Sequence, residues 1–229
     1  FQKQGDMASM FRGVMFQISR NLQIFLQKRK SSTEDEVWRP AVIAVSKDSF
    51  ERFAAFDLVR WLSHKIGFGM YIHHIEGYLS KETQDLARES LERLLKIQQI
   101  SHSSVYVDTM VNPEYHSSIS QVLQLPGVSG QDNNMILFEF NKHTPMHCQE
   151  IIDNLGMVRA VNYDLCILSS SDKDFGYNAE IHLWITSSDY ANANLMIYLA
   201  YIILGHPEWN KGGEIKLFAV YPEEEIEMQ

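Results

Sequence analysis

The chain of 229 residues is 45% hydrophobic and 21% charged, a composition typical of a globular protein that excludes intrinsic disorder. The net charge of −9 is uneven: residues 1–30 carry six basic groups and one acidic group, and the remainder carries 14 basic and 28 acidic groups. The acidic body excludes nucleic acid as a partner, because it would repel the phosphates. No apolar run approaches the roughly 20 residues that a membrane helix needs. Cys148 and Cys166 lie in apolar segments and indicate buried free thiols in a reducing compartment.

Residues 1–37 are predicted to form an amphipathic helix, over 6–27, followed by a polar linker. Because apolar residues recur at helical spacing, we expect this helix either to pack on the body or to bridge to a partner copy or a preceding membrane segment. Its basic groups are either an ordinary polar helix face or a segment that lies near an anionic membrane surface. The apolar positions are Met7, Phe11, Val14, Ile18 and Phe25.

From residue 38 onward, short apolar runs alternate with helical patterns. The alternation predicts an α/β fold with a mainly parallel sheet flanked by helices, in two lobes at 38–130 and 131–229. The last helix is apolar all round, so we expect it to lie in the core, with a part in an interface as the alternative. Predicted strands cover 41–46, 70–79, 104–111, 135–140, 163–169, 180–186 and 213–221; predicted helices cover 49–66, 115–125, 144–155 and 190–204, with one more beginning at Ser80.

Nucleotides bind parallel α/β sheets at the carboxyl ends of the strands, so the turns after predicted strands are candidate sites. The sequence contains neither GxxxxGK[ST] nor GxGxxG, and the pair of glycines at 127–130 precedes a strand instead of following one. Two serine-rich turns are candidates because backbone N–H groups at a helix start can receive an anion, although neither has a glycine that lets a phosphate approach closely. The candidate residues are Ser46, Asp48 and Ser49 in the first turn and Ser169, Ser170 and Asp172 in the second.

Catalytic and metal-binding patterns are not found. The GxSxG motif of hydrolase nucleophiles is missing, and no paired carboxylates share a predicted cleft. His143, His147 and Cys148 have no second pair of ligands to complete a tetrahedral metal site. We therefore predict a binding or regulatory module without catalytic residues, metal or cofactor, and not an enzyme.

An ordered set of motifs runs from about residue 6 to residue 221. An aromatic-Arg-Pro step leads into a buried strand, a second apolar strand opens the later half, and a Trp-bearing strand, an apolar helix, a Trp and a last strand close the pattern. The motifs are Val37–Pro40 before Ala41–Ser46, Asn133–Phe140, Ile181–Ile185, Asn194–Leu204, Trp209 and Ile215–Phe218. Their order and spacing resemble the cytoplasmic domain of cation-chloride cotransporters, a branch of the amino acid-polyamine-cation transporters. Animal members have two Trp and a Gly-Gly pair where this chain has Trp184 and Asp189–Asn194, so the resemblance is nearer to prokaryotic members.

The resemblance implies a regulatory domain on the cytoplasmic side of the plasma membrane. The full protein would couple Cl⁻ electroneutrally to K⁺ and/or Na⁺, and its transmembrane domain, on the same polypeptide, would hold the ion sites. The domain would form a homodimer of chains whose two lobes resemble universal stress protein and Rossmann-like folds, with the helix at 6–27 joining them to the membrane. Two alternatives stay open: a free-standing universal-stress-type nucleotide-binding protein, which would need a glycine-rich phosphate loop, and an α/β enzyme, which would need a nucleophile and a base.

Overall fold

Helices and strands alternate along the chain, as the sequence predicts. The computed structural model describes residues 2–29, 38–128, 132–145, 147–171, 175–176, 178–209 and 211–220, with a short 3₁₀ turn at Ser187–Asp189. The helices are α1 (Gln2–Arg29), α2 (Ala54–Leu62), α3 (Lys81–Ile100), α4 (Tyr115–Gln124), α5 (His147–Ala160) and α6 (Ala193–Leu204). The strands are β1 (Ala41–Ser46), β2 (Phe68–Glu76), β3 (Tyr106–Asn112), β4 (Met135–Asn141), β5 (Asp164–Ser170), β6 (Glu180–Thr186) and β7 (Glu214–Val220).

Five parallel strands form the main sheet in the order β3-β2-β1-β4-β5. The central strand β1 is buried along its whole length, because helices cover both faces of the sheet. Val42 and Ala44 pack with α2 and α3, whereas Ile43 and Val45 pack with α4 and α5. A continuous apolar strand buried on both faces is what a parallel sheet requires. The predicted α/β class is confirmed, and the sheet is Rossmann-like.

The main sheet runs across the predicted lobe boundary at residue 130. Strands β4 and β5, which the sequence assigns to the second lobe, continue the sheet of the first, because β4 pairs with the second edge of β1. Asn134 N donates to Ala41 O at 3.1 Å, and Asn134 Oδ1 accepts from Ala41 N at 2.9 Å. The boundary therefore does not separate two sheets, since the free backbone groups of a central strand need partners on both sides.

The β6–α6–β7 unit forms a second, two-stranded parallel sheet. Its helix α6 packs between this sheet and α2. The expectation that this helix lies wholly in the core is wrong: Ala200 and Ile202 are buried, but Tyr198 and Tyr201 are exposed. One side of α6 faces water because a two-stranded sheet and one neighbouring helix are too narrow to enclose it.

Contacts between α2 and the segment after α6 join the two sheets. Arg60 donates from both terminal nitrogens to the carboxylate of Glu208, at 2.5 and 2.8 Å, and Trp61 Nε1 donates to Glu208 Oε2 at 2.9 Å. The rings of Trp61 and Trp209 meet edge to face at 5.2 Å between their centroids, and both side chains are buried. Aromatic packing and a bidentate ion pair therefore fix the second unit on the first.

Helix α1 contributes to neither apolar core. The predicted helix at 6–27 is present, but from Phe11 to Phe25 its large apolar side chains are between 43% and 68% exposed. None of the described helices is both long and apolar enough to span a bilayer. From Phe11 to Ile24, the described side chains of α1 belong to neither core, and the prediction that this helix bridges to another partner stays a prediction.

Candidate functional site at the carboxyl edge of the sheet

The carboxyl ends of β1 and β4 lie side by side where the strand order reverses. From β1 the chain extends the sheet through β2 and β3 on one side, and through β4 and β5 on the other. In open parallel sheets the crevice at such a switch point is the usual ligand site. The predicted turn Ser46–Ser49 lies at this crevice, opposite Glu139 of β4.

The Ser46–Ser49 turn is stabilised by its own hydrogen bonds. Ser46 Oγ accepts from Asp48 N at 3.2 Å, and Ser49 Oγ donates to Ser46 O at 3.4 Å and lies 3.0 Å from His73 Nδ1. The prediction that a helix begins at Ser49 is wrong, because Asp48 O instead closes a separate turn by accepting from the N–H groups of Glu51 and Arg52. An anion site built on this turn would need the free N–H groups of a helix start directly after the serines. Because α2 begins later in the chain, its first N–H groups do not lie there.

Arg52 fills the crevice. Its guanidinium donates to Asp48 Oδ2 at 2.7 Å, and its Nε lies 3.6 Å from Glu139 Oε1. The remaining cavity has a volume of about 20 Å³, which is enough for a water molecule but not for a nucleotide. Its lining consists of Val45, Ser46, Lys47, Asp48, Arg52, Tyr115, Glu139, Glu150 and Ile151.

Two tyrosines, Tyr71 fully buried and Tyr115 half-buried, support this edge of the sheet. Burial raises the pKa of Tyr71 to about 12, against the smaller opposing effect of the Ser46 and Ser49 side chains, and it raises the pKa of Tyr115 well above its usual range. Tyr115 donates its hydroxyl to Val45 O at 2.9 Å, at the end of β1. Both phenols stay protonated near neutral pH, so Tyr115 acts as a structural donor and neither is suited to act as a base.

The second predicted turn lies at the end of β5, on the other side of β4. Two strand spacings of about 4.8 Å place it roughly 10 Å from the Ser46 turn. Ser170 is buried and donates to Phe140 O at 3.4 Å, whereas Ser169 is exposed. Asp172 lies outside the described residues. The structure therefore brings both turns to one edge of the sheet but does not join Ser169 and Ser170 to the crevice at Ser46.

A larger groove, which the sequence does not reveal, opens next to Lys47. It has a volume of about 370 Å³ and lies between the ends of β2 and β3 and the first turns of α4 and α5. Four separate segments contribute between one and four residues each, so no local motif marks the groove; polar residues directly after parallel strands are the one available signal. The groove is lined by Lys47, Glu76, Pro113, Glu114, Tyr115, His116, Glu150, Asp153 and Asn154.

Metal ligands and reactive thiols do not converge in the described part of the chain. No group of three His, Cys, Asp or Glu residues there has the geometry to hold a metal ion. Cys148 and Cys166 are free, but the prediction that they are buried is wrong, because both are only half-buried; desolvation nevertheless raises the pKa of Cys166 to about 11. A thiol with such a pKa is almost wholly protonated at neutral pH and is therefore a poor nucleophile.

Fold and site together define an α/β protein with a Rossmann-like parallel sheet, whose switch-point crevice is filled by an arginine and its acidic partners. No model of a known protein family matches the chain, and no curated protein shows significant sequence similarity to it.

Proposed function

We propose that the chain is the cytoplasmic regulatory and dimerisation domain of an electroneutral cation-chloride cotransporter. In this proposal the domain is attached to a transmembrane domain on the same polypeptide, which carries Cl⁻ together with K⁺ and/or Na⁺, and it lies on the cytoplasmic side of the plasma membrane. It is not an enzyme, and α1 is the segment next to the membrane. The support comes from the ordered motifs of the sequence and from the surface that α1 leaves exposed.

The first two motifs contact each other in the folded chain. Asn134 donates from Nδ2 to Arg39 O at 2.7 Å and accepts from Ala41 N, so the second motif holds the backbone on both sides of Pro40. Trp38 Nε1 donates to Asp164 Oδ2 at 3.2 Å, next to β4. These motifs, which resemble one family only by their order in the sequence, thus also contact one another in the folded chain.

The closing motif has a structural role of the same kind. The Trp-bearing strand, the apolar helix and the last strand form the β6–α6–β7 unit, and Trp209 between them packs on Trp61 of α2. The ring of Trp38 meets Tyr198 of α6 edge to face at 5.7 Å. The first and last motifs are therefore in contact, which supports their interpretation as parts of a single domain.

The observation that carries the proposal is the exposed apolar surface of α1. Phe11 and Phe16 are 68% and 67% exposed, and Phe25 is 53% exposed. An isolated chain in water rarely presents so many large apolar side chains on one helix, because their burial is favourable. A neighbouring transmembrane domain or a second copy of the chain would cover them.

A free-standing universal-stress-type nucleotide-binding protein is the alternative. It would share the parallel sheet and the turn after β1. However, Arg52 and its acidic partners occupy the place where its nucleotide would bind, and about 20 Å³ remains. An α/β enzyme would need an accessible nucleophile beside a base. Ser49 lies 3.0 Å from His73 Nδ1 and Ser118 lies 2.9 Å from His74 Nδ1, but both serines are buried and neither hydroxyl is open to a substrate.

The proposal is tested with the complete gene product. We expect the reading frame upstream of residue 1 to encode about a dozen apolar segments of about 20 residues each. Cells that express the full protein should show chloride-dependent rubidium uptake, and deletion of residues 38–229 should change that uptake without removing the protein from the membrane. A start codon directly before residue 1, together with saturable ATP binding to the chain, would instead support the nucleotide-binding alternative.

A further inference from the structure

The groove next to Lys47 has the size of a small-molecule site. Its volume of about 370 Å³ lies within the range of roughly 300–1,000 Å³ that is common for such sites. Lys47 follows β1, Glu76 ends β2, and Glu114 precedes α4, so three loops at the carboxyl edge of the sheet form one wall. The first turns of α5 form the other wall. The lining residues are therefore carried by the short loops after the strands and by the first turns of two helices.

The groove is negatively charged. Four carboxylates line it, and Lys47 pairs with one of them, Glu150, at 2.6 Å. Among the described residues, no basic group lies within ion-pair distance of the other three, Glu76, Glu114 and Asp153. Their charges are therefore not neutralised locally, and a concave surface concentrates the resulting field.

A buried amide at the wall of the groove offers an independent indication of a ligand. Asn154 is 1% exposed and donates from Nδ2 to Glu150 O at 2.6 Å. Its Oδ1 has no donor among the described residues. Because a buried acceptor is costly to leave without a hydrogen bond, this oxygen favours a ligand that donates one.

Lys47 shows which chemistry the groove already accommodates. Its ammonium group lies 2.6 Å from Glu150 Oε1 and 5.0 Å from the centroid of the Tyr115 ring. A carboxylate and an aromatic face together are a favourable setting for an ammonium ion. One end of the groove is thus occupied by an ammonium of the protein itself, whereas no ammonium group of the described residues pairs with Glu76, Glu114 or Asp153.

We propose that this groove binds a ligand with primary ammonium groups on a flexible chain. Glu76, Glu114 and Asp153 attract the positive charges, and Asn154 Oδ1 accepts a hydrogen bond from one ammonium. The group can belong to a free polyamine or to a lysine side chain of another polypeptide, since both present the same chemistry. The inference does not depend on the transporter proposal, because it concerns only the lining of the groove.

The test is calorimetric titration of the 229-residue chain with spermidine and, separately, with an acetylated Lys-Gly-Lys amide peptide. Tetramethylammonium serves as a cation that cannot donate a hydrogen bond. The variant E76Q/E114Q removes two exposed groove carboxylates, and E89Q/E92Q removes two exposed carboxylates from α3, on the other face of the sheet. A third variant, Asn154→Ala, removes the amide.

We expect spermidine, the peptide or both to bind in a one-to-one ratio. E76Q/E114Q should weaken this binding about tenfold, because it removes two exposed ion pairs, and E89Q/E92Q should leave it within about twofold. Asn154→Ala should weaken binding of the amine but not binding of tetramethylammonium. Binding of spermidine alone identifies a free amine, and binding of the peptide alone identifies a polypeptide. Equal losses in both double variants, or no binding of either amine, would overturn the proposal.

Discussion

His206 illustrates how its surroundings determine the charge of one side chain. It is buried at the junction of the two sheets, where its Nδ1 accepts from Glu208 N at 3.3 Å and its ring packs against that of His64 at 4.7 Å. Burial, the charge of Arg60 and the neighbouring His64 lower its pKa to about 4, against the opposing effect of Glu208. The ring is therefore neutral in the folded chain at neutral pH.

This pKa makes the stability of the chain depend on pH. As the pH falls below the unfolded value of about 6.5, the unfolded chain binds a proton that folded His206 does not, so the folded state loses stability until the pH reaches about 4. We expect the melting temperature to fall over this range and the fall to be smaller in His206→Gln. His102→Gln, at an exposed position, is the control. Parallel melting curves for His206→Gln and the unchanged chain would contradict the prediction.

Glu208 anchors the segment after α6 through one carboxylate. It accepts from Arg60 and Trp61, and the hydrogen bond with Arg60, whose side chain is 10% exposed, is the main reason that its pKa is lowered. Glu208→Gln should lower the free energy of unfolding by about 1–2 kcal/mol, because a largely buried guanidinium loses one of its two ionic partners and keeps only Asp57, while Glu208 itself is partly exposed.

Chemical denaturation at pH 7 measures this effect. Because the folded pKa of Glu208 is lowered, its contribution is complete above the unfolded value of about 4.3 and disappears as the pH falls through the folded value. The difference in the free energy of unfolding between Glu208→Gln and the unchanged chain should therefore become smaller at acidic pH. Glu214→Gln, which removes an exposed ion pair with Lys216, should change stability by less than about 0.5 kcal/mol. Equal effects of both substitutions would show that Glu208 acts only as a surface charge.

At the scale of elements, the strands β1 and β6 and the starts of α3 and α4 are predicted closely, whereas the start of α2 is not. The apolar run of β1 and the strand β6 are found where the sequence places them, because continuous or alternating apolar residues specify a strand directly. The start of α2 was predicted five residues too early, because the turn at Asp48 competes with the helix for the same residues. The pairing of β4 with β1 was not predictable, since no local pattern encodes the partner of a parallel strand.

Gly213 is needed before β7 for close packing. A Cβ atom at this position would lie 2.5 Å from Trp209 O and 2.8 Å from Leu204 Cδ1. Gly213→Ala should lower the free energy of unfolding by about 1–3 kcal/mol, because backbone atoms must move to admit it. Gly156→Ala is the control: nothing lies within 4 Å of its Cβ, and in the middle of α5 alanine should stabilise by about 0.5–1 kcal/mol. Denaturant unfolding followed by circular dichroism measures both, and a neutral Gly213→Ala would contradict the packing described here.

At the scale of the whole molecule, part of the candidate site follows from the sequence and part does not. The Ser46–Ser49 turn could be placed at the carboxyl edge of the sheet, because it follows a predicted buried strand. Closure of the crevice could not be predicted, because Glu139 reaches Arg52 from a strand distant in sequence. The groove next to Lys47 depends in the same way on loops that only the tertiary structure brings together.

The closed crevice leads to a prediction about nucleotides. Because about 20 Å³ remains beside Arg52, ATP with magnesium at up to about 1 mM should leave the melting temperature unchanged, as expected for a ligand without a site on the folded state. Thermal unfolding with and without ATP measures this. Spermidine serves as a second ligand in the same assay. A melting temperature that rises and reaches a plateau with increasing ATP concentration would favour the universal-stress-type alternative over the regulatory domain.

The central position of β1 also affects how the nascent chain folds on the ribosome. Ala41 and its partner Asn134 are 93 residues apart. At a synthesis rate of about 5–20 residues per second, the second edge of β1 therefore has no partner for roughly 5–20 seconds, until β4 has been synthesised. During that interval β1 can pair with β2 alone and leaves an apolar edge open to other chains. Newly made chains of this protein should therefore depend on holding chaperones until residue 141 has left the exit tunnel.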